Sequence, residues 1–188
     1  MRKTLVWALL ASLPLIHGCA AVALGGAATA GYVVGEDRRT VGTLAEDQGI
    51  EFKANGRITE KYPDAHVNVT AYNRMVLLTG EVATADAKAD VERIARAVEN
   101  VRGVYNELRV GPASKMSERT NDAYITSKVK ARFLDAKTFN PINVKVVTEA
   151  GTVYLMGLAN RKEAEDATEV ARTTSGVQKV VRVFEYVN

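Results

Sequence analysis

One stretch of sequence occurs twice in the chain, and this repeat constrains the fold more than any other feature. Residues 67–80 and 144–157 share an alternation of apolar and polar residues, a central turn and a closing glycine. Alternation with a period of two is typical of a half-buried β-strand, and a turn at Asn73 or Gly151 separates two such runs. Each copy is therefore predicted to be a β-hairpin.

The match extends to both sides of the hairpins, so the repeated unit is a whole domain. A helical pattern precedes each hairpin, at residues 47–62 and 122–137, and a second helical pattern and a third strand follow it. This order predicts an α+β fold of two tandem αββαβ domains, each a three-stranded mixed sheet packed on two helices. We place the domains at residues 46–110 and 118–188, with a linker at 111–117.

The composition bears on the size of each hydrophobic core and on the kind of partner. With 47% hydrophobic and 25% charged residues the chain is typical of globular proteins, but domains of about 70 residues lie near the lower size for a self-sufficient core. Contact between the domains is therefore expected to contribute to stability. The formal net charge of +3 includes Arg2 and Lys3, which belong to a segment expected to be removed, and the nearly neutral remainder does not indicate nucleic acid as a partner.

Residues 1–18 have the features of a bacterial lipoprotein signal peptide. Two basic residues precede an apolar run that is too short for an ordinary membrane-spanning helix, and the run ends in Leu-Ile-His-Gly before Cys19. We predict that the Cys19 thiol takes up a diacylglyceryl group and that its freed amine is then acylated. His17 departs from the small residue usual at its position, and the alternative is an ordinary cysteine after a cleaved secretory signal.

The residues after Cys19 indicate where the anchored chain is held. Ala20 takes the place of the Asp that marks inner-membrane retention, which favours the outer membrane. Residues 19–45 are interpreted as the lipidated cysteine and a tether, because the Ala- and Gly-rich part at 20–35 is too short and too rich in glycine for a second membrane segment.

The repeat resembles the BON domain, through the glycine that closes the hairpin and the Gly-Val-Gln-Lys-Val sequence at 176–180. The residues that end in Cys19 resemble a lipobox, the cleavage and acylation signal of bacterial lipoproteins. With this lipobox and the linker, the chain resembles the dual BON-domain outer-membrane lipoproteins of the DolP type, and it shares short sequences with them at 68–72, 104–107 and 156–158. The resemblance implies a non-enzymatic protein that faces the periplasm. It also implies roles in phospholipid binding, in envelope integrity and at the outer-membrane assembly machinery.

The helix at 122–137 is the candidate binding element. At 100° per residue, one side should pack on the sheet and carries Ile125, Val129, Arg132, Phe133 and Ala136. An aromatic and an aliphatic residue fall off that side among cations, and the predicted phospholipid-binding residues are Tyr124, Lys128, Lys130, Arg132 and Leu134. Such a surface suits the headgroup region of an anionic bilayer. The alternative is that Tyr124 and Leu134 cover the contact with the first domain or the linker.

Comparison of the two copies favours the second domain as the binding one. The first copy has Gly49, Asn55 and Thr59 where the second has Tyr124, Lys130 and Leu134. The resemblance implies that the second domain meets anionic phospholipid through this helix. The related proteins carry Trp at the position of Tyr124, and because Tyr inserts less apolar area, weaker binding is expected.

Other chemistries are not expected. His66 is the only histidine outside the signal peptide, so neither a metal cluster nor a catalytic triad is predicted, and no cofactor is predicted. The acidic residues near Glu163 fit the start of a helix better than a pair of catalytic carboxylates. Two functions remain: binding of anionic phospholipid (phosphatidylglycerol or cardiolipin), or a protein-interaction scaffold at the outer-membrane assembly machinery.

Overall fold

The computed structural model describes residues 37–188. The predicted signal peptide, Cys19 and most of the predicted tether lie outside the described residues. The first domain consists of α1 (Val41–Lys61), β1 (His66–Tyr72), β2 (Met75–Val82), α2 (Ala85–Arg96), β3 (Gly103–Asn106) and the short β4 (Arg109–Val110). The second consists of α3 (Met116–Ala136), a 3-10 turn (Pro141–Asn143), β5 (Val144–Glu149), β6 (Thr152–Ala159), α4 (Arg161–Arg172) and β7 (Lys179–Tyr186).

Each domain has a mixed sheet. In the first, β2 pairs antiparallel with β1 and parallel with both β3 and β4. In the second, β6 pairs antiparallel with β5 and parallel with β7. The parallel pairs require a crossover, which α2 and α4 provide. The predicted fold class, two tandem αββαβ domains, is confirmed.

Several element boundaries differ from those predicted. Helix α1 begins at Val41, inside the predicted tether, because the Thr40 hydroxyl caps it by accepting a hydrogen bond from the Thr43 N–H at 3.1 Å. Helix α3 begins at Met116, inside the predicted linker, and Glu118 accepts a hydrogen bond from the Lys115 N–H at 2.7 Å. The predicted third strand of the first domain is split into β3 and β4.

The glycine expected to end the second strand of each hairpin instead lies inside it. Strand β2 continues to Val82 and β6 continues to Ala159. A Cβ at Gly80 would collide with the carbonyl oxygen of His66, and one at Gly157 would collide with that of Asn143. These glycines are therefore required by close approach of the neighbouring strand.

Two hydrophobic cores lie between the helices and the sheets. The first-domain core includes Ile50, Ala54, Ile58, Leu78 and Val91, and the second-domain core includes Ile125, Val129, Phe133, Leu155 and Phe184. A third cluster joins the sheet faces that the helices leave uncovered, with residues from both domains: Tyr72, Leu77, Tyr154, Met156, Leu158 and Val183. The two sheets thus pack against each other, as the small size of each domain led us to expect.

The two edge strands β1 and β5 run past each other at this contact. The Tyr72 hydroxyl donates to the Asn143 carbonyl oxygen at 3.2 Å, and Lys145 Nζ donates to the Ala71 carbonyl oxygen at 3.3 Å. Further along, Asn68 donates to Glu149 at 2.9 Å. Side chains, rather than a continuous ladder, therefore join the edges of the two sheets.

Candidate functional site

Helix α3 is held against the rest of the second domain by its buried inner side and by the carboxylate of Asp122. Ile125, Val129 and Phe133 are at most 2% exposed and pack in the core, as predicted. Arg132 was predicted on the same side but is exposed, because its guanidinium reaches the end of α4 instead of the sheet. Near the start of the helix, buried Asp122 accepts hydrogen bonds from the N–H groups of Ala150 and Gly151, at 2.8 and 2.9 Å. The rotation of the helix about its axis is thereby set, which determines the residues that face solvent.

Along the middle of the solvent-facing side of α3 lies a stripe without charged residues. Its large apolar side chains are Met116, Tyr124 and Leu134, which are 73%, 62% and 69% exposed. The small exposed residues between them, at 100° per residue, are Thr120, Ala123, Ser127 and Ala131. We call these seven residues the outer stripe, and at 1.5 Å per residue it is about 27 Å long.

Two hydroxyl groups of the outer stripe are turned onto the helix itself. Thr120 donates a hydrogen bond to the Met116 carbonyl oxygen at 2.8 Å, and Ser127 donates one to the Ala123 carbonyl oxygen at 3.0 Å. Because these donors are already satisfied, they do not need water. The outer stripe is therefore less polar than its sequence indicates.

The three predicted cations differ in their surroundings. Lys128 Nζ donates to the Ser175 carbonyl oxygen and lies 4.6 Å from the centre of the Tyr124 ring, a cation–π contact. Arg132 donates to the Val170 carbonyl oxygen and to the Thr174 and Thr173 hydroxyls at 2.8 to 3.0 Å. Its guanidinium thus ties α3 to the carboxyl end of α4. Lys130 is exposed and has no hydrogen bond or ion pair through its side chain with any residue in 37–188.

The structure thus brings the predicted residues onto one helix but separates their roles. Tyr124 and Leu134 are exposed, so they do not form the contact between the domains, which was the alternative interpretation. That contact is made by the third hydrophobic cluster. Met116 belongs to the same surface and was not predicted, because the helix was expected to begin after it.

The first helix of the first domain carries an exposed aromatic residue that the sequence comparison missed. Phe52 lies on the solvent side of α1 and is 83% exposed, beside a shallow groove that Glu51, Asn55, Val67 and Val69 help to line. The comparison of the copies considered only the positions aligned with Tyr124, Lys130 and Leu134, whereas Phe52 aligns with Ser127. An exposed aromatic residue on the first helix is therefore not unique to the second domain, which weakens the comparison of the copies as a reason to favour that domain.

Comparison with known proteins agrees with the duplicated architecture. A model of the BON domain matches residues 46–112 and again residues 121–188. The chain belongs to the BON-domain family. The resemblance drawn from its hairpins and lipobox, to dual BON-domain outer-membrane lipoproteins, is thus confirmed.

Three relatives are similar to this chain over most of its length. The outer membrane lipoprotein DolP of Haemophilus influenzae is 36% identical over 184 residues, which cover 96% of this chain and 94% of that protein. The 21 kDa hemolysin of Actinobacillus pleuropneumoniae is 34% identical and covers 80% of this chain and 79% of its own length. The osmotically-inducible protein Y of Escherichia coli is 27% identical and covers 81% of this chain and 78% of its own length.

Among residues 37–188, no helix of this BON-domain protein has the length and apolar character needed to cross a bilayer.

Proposed function

We propose that this protein is an outer-membrane lipoprotein, anchored through acylated Cys19 and facing the periplasm, whose second domain binds anionic phospholipid and supports outer-membrane integrity. The observation that carries the lipid proposal is the outer stripe of α3, with Met116, Tyr124 and Leu134 exposed on a helix that is rigidly held. The relative named outer membrane lipoprotein DolP supports the location.

The chemistry of the outer stripe fits the boundary between headgroups and acyl chains. An aromatic ring and two flexible apolar side chains can enter that region while the helix lies parallel to the membrane. Lys130, on one flank of the stripe, supplies a cation without a side-chain partner among residues 37–188, while Lys128 and Arg132 add positive charge on the other flank. This arrangement favours phosphatidylglycerol and cardiolipin over neutral lipids.

Three side chains bury little area, so the contact is expected to be weak for a soluble fragment. Acylation of Cys19 would hold the domain next to the membrane and raise the effective concentration of lipid at the helix. Under that condition a weak contact is sufficient to select membrane regions rich in anionic lipid.

The experiment is a vesicle flotation assay with the soluble fragment of residues 36–188. The fragment should float with phosphatidylglycerol vesicles and not with phosphatidylcholine vesicles, and added salt should reduce flotation. Tyr124→Glu and Leu134→Glu should each weaken binding about tenfold or more, because a charge replaces an inserted side chain. Thr59→Glu, at the position of the first domain that matches Leu134, is the control and should bind like wild type.

Equal flotation of Leu134→Glu and wild type would refute the lipid proposal. In that case the exposed Phe52 favours the second candidate, a scaffold that contacts a protein of the outer-membrane assembly machinery through the first domain. Phe52→Ser should then abolish cross-linking to that machinery in cells and leave vesicle binding unchanged.

A further inference from the structure

Three side chains that can bind a metal ion meet where the two domains touch. His66 begins β1, and Glu81 of β2 is its cross-strand partner, so both side chains project from the sheet face that packs on the second domain. Glu149, at the end of β5, approaches from the other domain, with its Oε1 3.5 Å from His66 Nε2. One ligand atom from each of the three residues lies within 4.8 Å of the others.

All three side chains are withdrawn from solvent. The side chains of His66, Glu81 and Glu149 are 13%, 4% and 5% exposed. Burial of two carboxylates is costly unless cations or hydrogen-bond donors compensate it, and buried charges are commonly paired or bound to metal. Within the described part of the chain, one lysine or arginine contacts the two carboxylates: Arg109, which pairs with Glu81. Glu149 instead faces the imidazole of His66.

Neighbouring groups already orient both carboxylates. Asn68 donates its amide to Glu149 Oε2 at 2.9 Å, and the Ser114 N–H donates to Glu81 Oε2 at 2.9 Å. Such outer contacts orient the ligands of metal sites. Each carboxylate oxygen keeps a lone pair beyond the bond it accepts, so these contacts do not exclude coordination. The Asn68 amide nitrogen also lies 3.4 Å from His66 Nε2, and zinc would take the imidazole lone pair in place of that long contact.

A second observation on this face is a buried hydroxyl whose hydrogen bond is not made within the described residues. Thr79 is 1% exposed, and its buried hydroxyl has no hydrogen-bond partner among the described residues. Thr79 is the cross-strand partner of Asn68 and lies two residues before Glu81, so it projects from the same face as the cluster. Buried hydroxyls normally find a partner, and a water on a bound metal ion would be one.

We propose that His66, Glu81 and Glu149 form a zinc-binding site that joins the two domains. Zinc takes imidazole nitrogen and carboxylate oxygen at about 2.0–2.2 Å in tetrahedral geometry, which places ligand atoms about 3.3–3.6 Å apart. The separation of 3.5 Å between His66 and Glu149 already matches this spacing. Water is the fourth ligand, and because the protein ligands come from both domains, the ion restrains one domain against the other.

The test uses the full mature chain in detergent micelles, freed of metal with a chelator. Isothermal titration with zinc chloride should give one ion per chain, and cobalt chloride should give the visible absorption of a tetrahedral site. His66→Gln and Glu149→Gln should each weaken zinc binding at least tenfold, whereas Glu165→Gln, which removes an exposed carboxylate of α4, should bind like wild type. Zinc should also raise the thermal unfolding temperature of wild type and not that of Glu149→Gln.

The outcomes separate cleanly. Glu149→Gln keeps an oxygen that can accept the Asn68 hydrogen bond, so it is expected to fold, and near-ultraviolet circular dichroism checks this. Absence of stoichiometric zinc binding and of cobalt absorption by the wild-type protein would overturn the proposal without reference to any variant. Zinc binding that survives both His66→Gln and Glu149→Gln would overturn it as well.

Discussion

Arg38 and Glu163 form a bidentate ion pair, with Nη1 2.7 Å from Oε2 and Nη2 2.8 Å from Oε1. Arg38 precedes the first helix of the first domain, whereas Glu163 lies in the first turn of α4 of the second domain. Arg38 also donates to the Leu158 carbonyl oxygen at 2.7 Å and, through its backbone N–H, to Asn143 at 3.1 Å. The chain that enters the first domain is therefore held by the second.

Arg38→Ala should lower the free energy of unfolding by about 1–2 kcal/mol at neutral pH, since it removes charged hydrogen bonds to a partly buried carboxylate. The hydrogen bonds from Arg38 hold the pKa of Glu163 below its ordinary value. The ion pair therefore stabilises the fold above the ordinary carboxyl pKa of about 4.3, and this contribution is lost as the pH falls through the lower pKa of the folded protein.

Urea unfolding of wild type and Arg38→Ala across this pH range checks the prediction. Lys162→Ala removes a neighbouring exposed ion pair with Asp166 and is the control, with a change of less than about 0.5 kcal/mol. A difference between Arg38→Ala and wild type that stays constant into acid would argue against the ion pair as its source.

The cations of α3 are predicted to separate into two classes. Lys130→Gln should weaken binding to anionic vesicles by about 1 kcal/mol, roughly fivefold, without changing stability, because Lys130 has no internal partner among residues 37–188. Arg132→Gln should destabilise the fold by about 1–2 kcal/mol, because three hydrogen bonds at the end of α4 are lost. Vesicle flotation and thermal unfolding of the same samples give both quantities. If Arg132→Gln lost more vesicle binding than Lys130→Gln, Arg132 would be a direct lipid ligand and this division would be wrong.

Tyr154 should make stability sensitive to alkali. It lies in the cluster between the sheets, and burial raises its pKa to about 12. Because an ordinary tyrosine has a pKa of about 10, the unfolded chain loses this proton first, so stability present below pH 10 is lost as the pH rises through 12. Tyr154→Phe should remove roughly 2–3 kcal/mol of that loss, because a shift of one pKa unit corresponds to about 1.4 kcal/mol. Urea unfolding at increasing pH measures it, and an unchanged slope in Tyr154→Phe would contradict the prediction.

Local sequence patterns predicted most of the fold. The hairpins were predictable because apolar alternation and turn residues act within a few positions, and both turns take positive φ at Asn73, Arg74, Ala150 and Gly151 as such turns require. The inner side of α3 followed from its helical period. The early starts of α1 and α3 were missed because they depend on single hydrogen bonds at Thr40 and Glu118, which a periodicity does not contain.

Contacts between distant residues were the part that could not be predicted. Asp47 and Asp122 occupy the same position in the two copies, and each accepts hydrogen bonds from the hairpin turn of its own domain. The repeat shows that the two residues are equivalent. Their role as hydrogen-bond acceptors becomes apparent only when the structure places the hairpin turn beside the helix. The prediction of no metal cluster rested on the single histidine, and the carboxylates beside it come from other strands and the other domain.

The antiparallel passage of β1 and β5 has a consequence for solubility. An edge strand exposes unpaired backbone groups that can recruit a strand from another molecule, which leads to aggregation. Here two backbone carbonyl oxygens at these edges accept hydrogen bonds from the other domain, that of Ala71 from Lys145 and that of Asn143 from the Tyr72 hydroxyl. Duplication thus lets each copy occupy backbone groups at an edge of the other, and a single domain released from its twin would leave those groups unpaired.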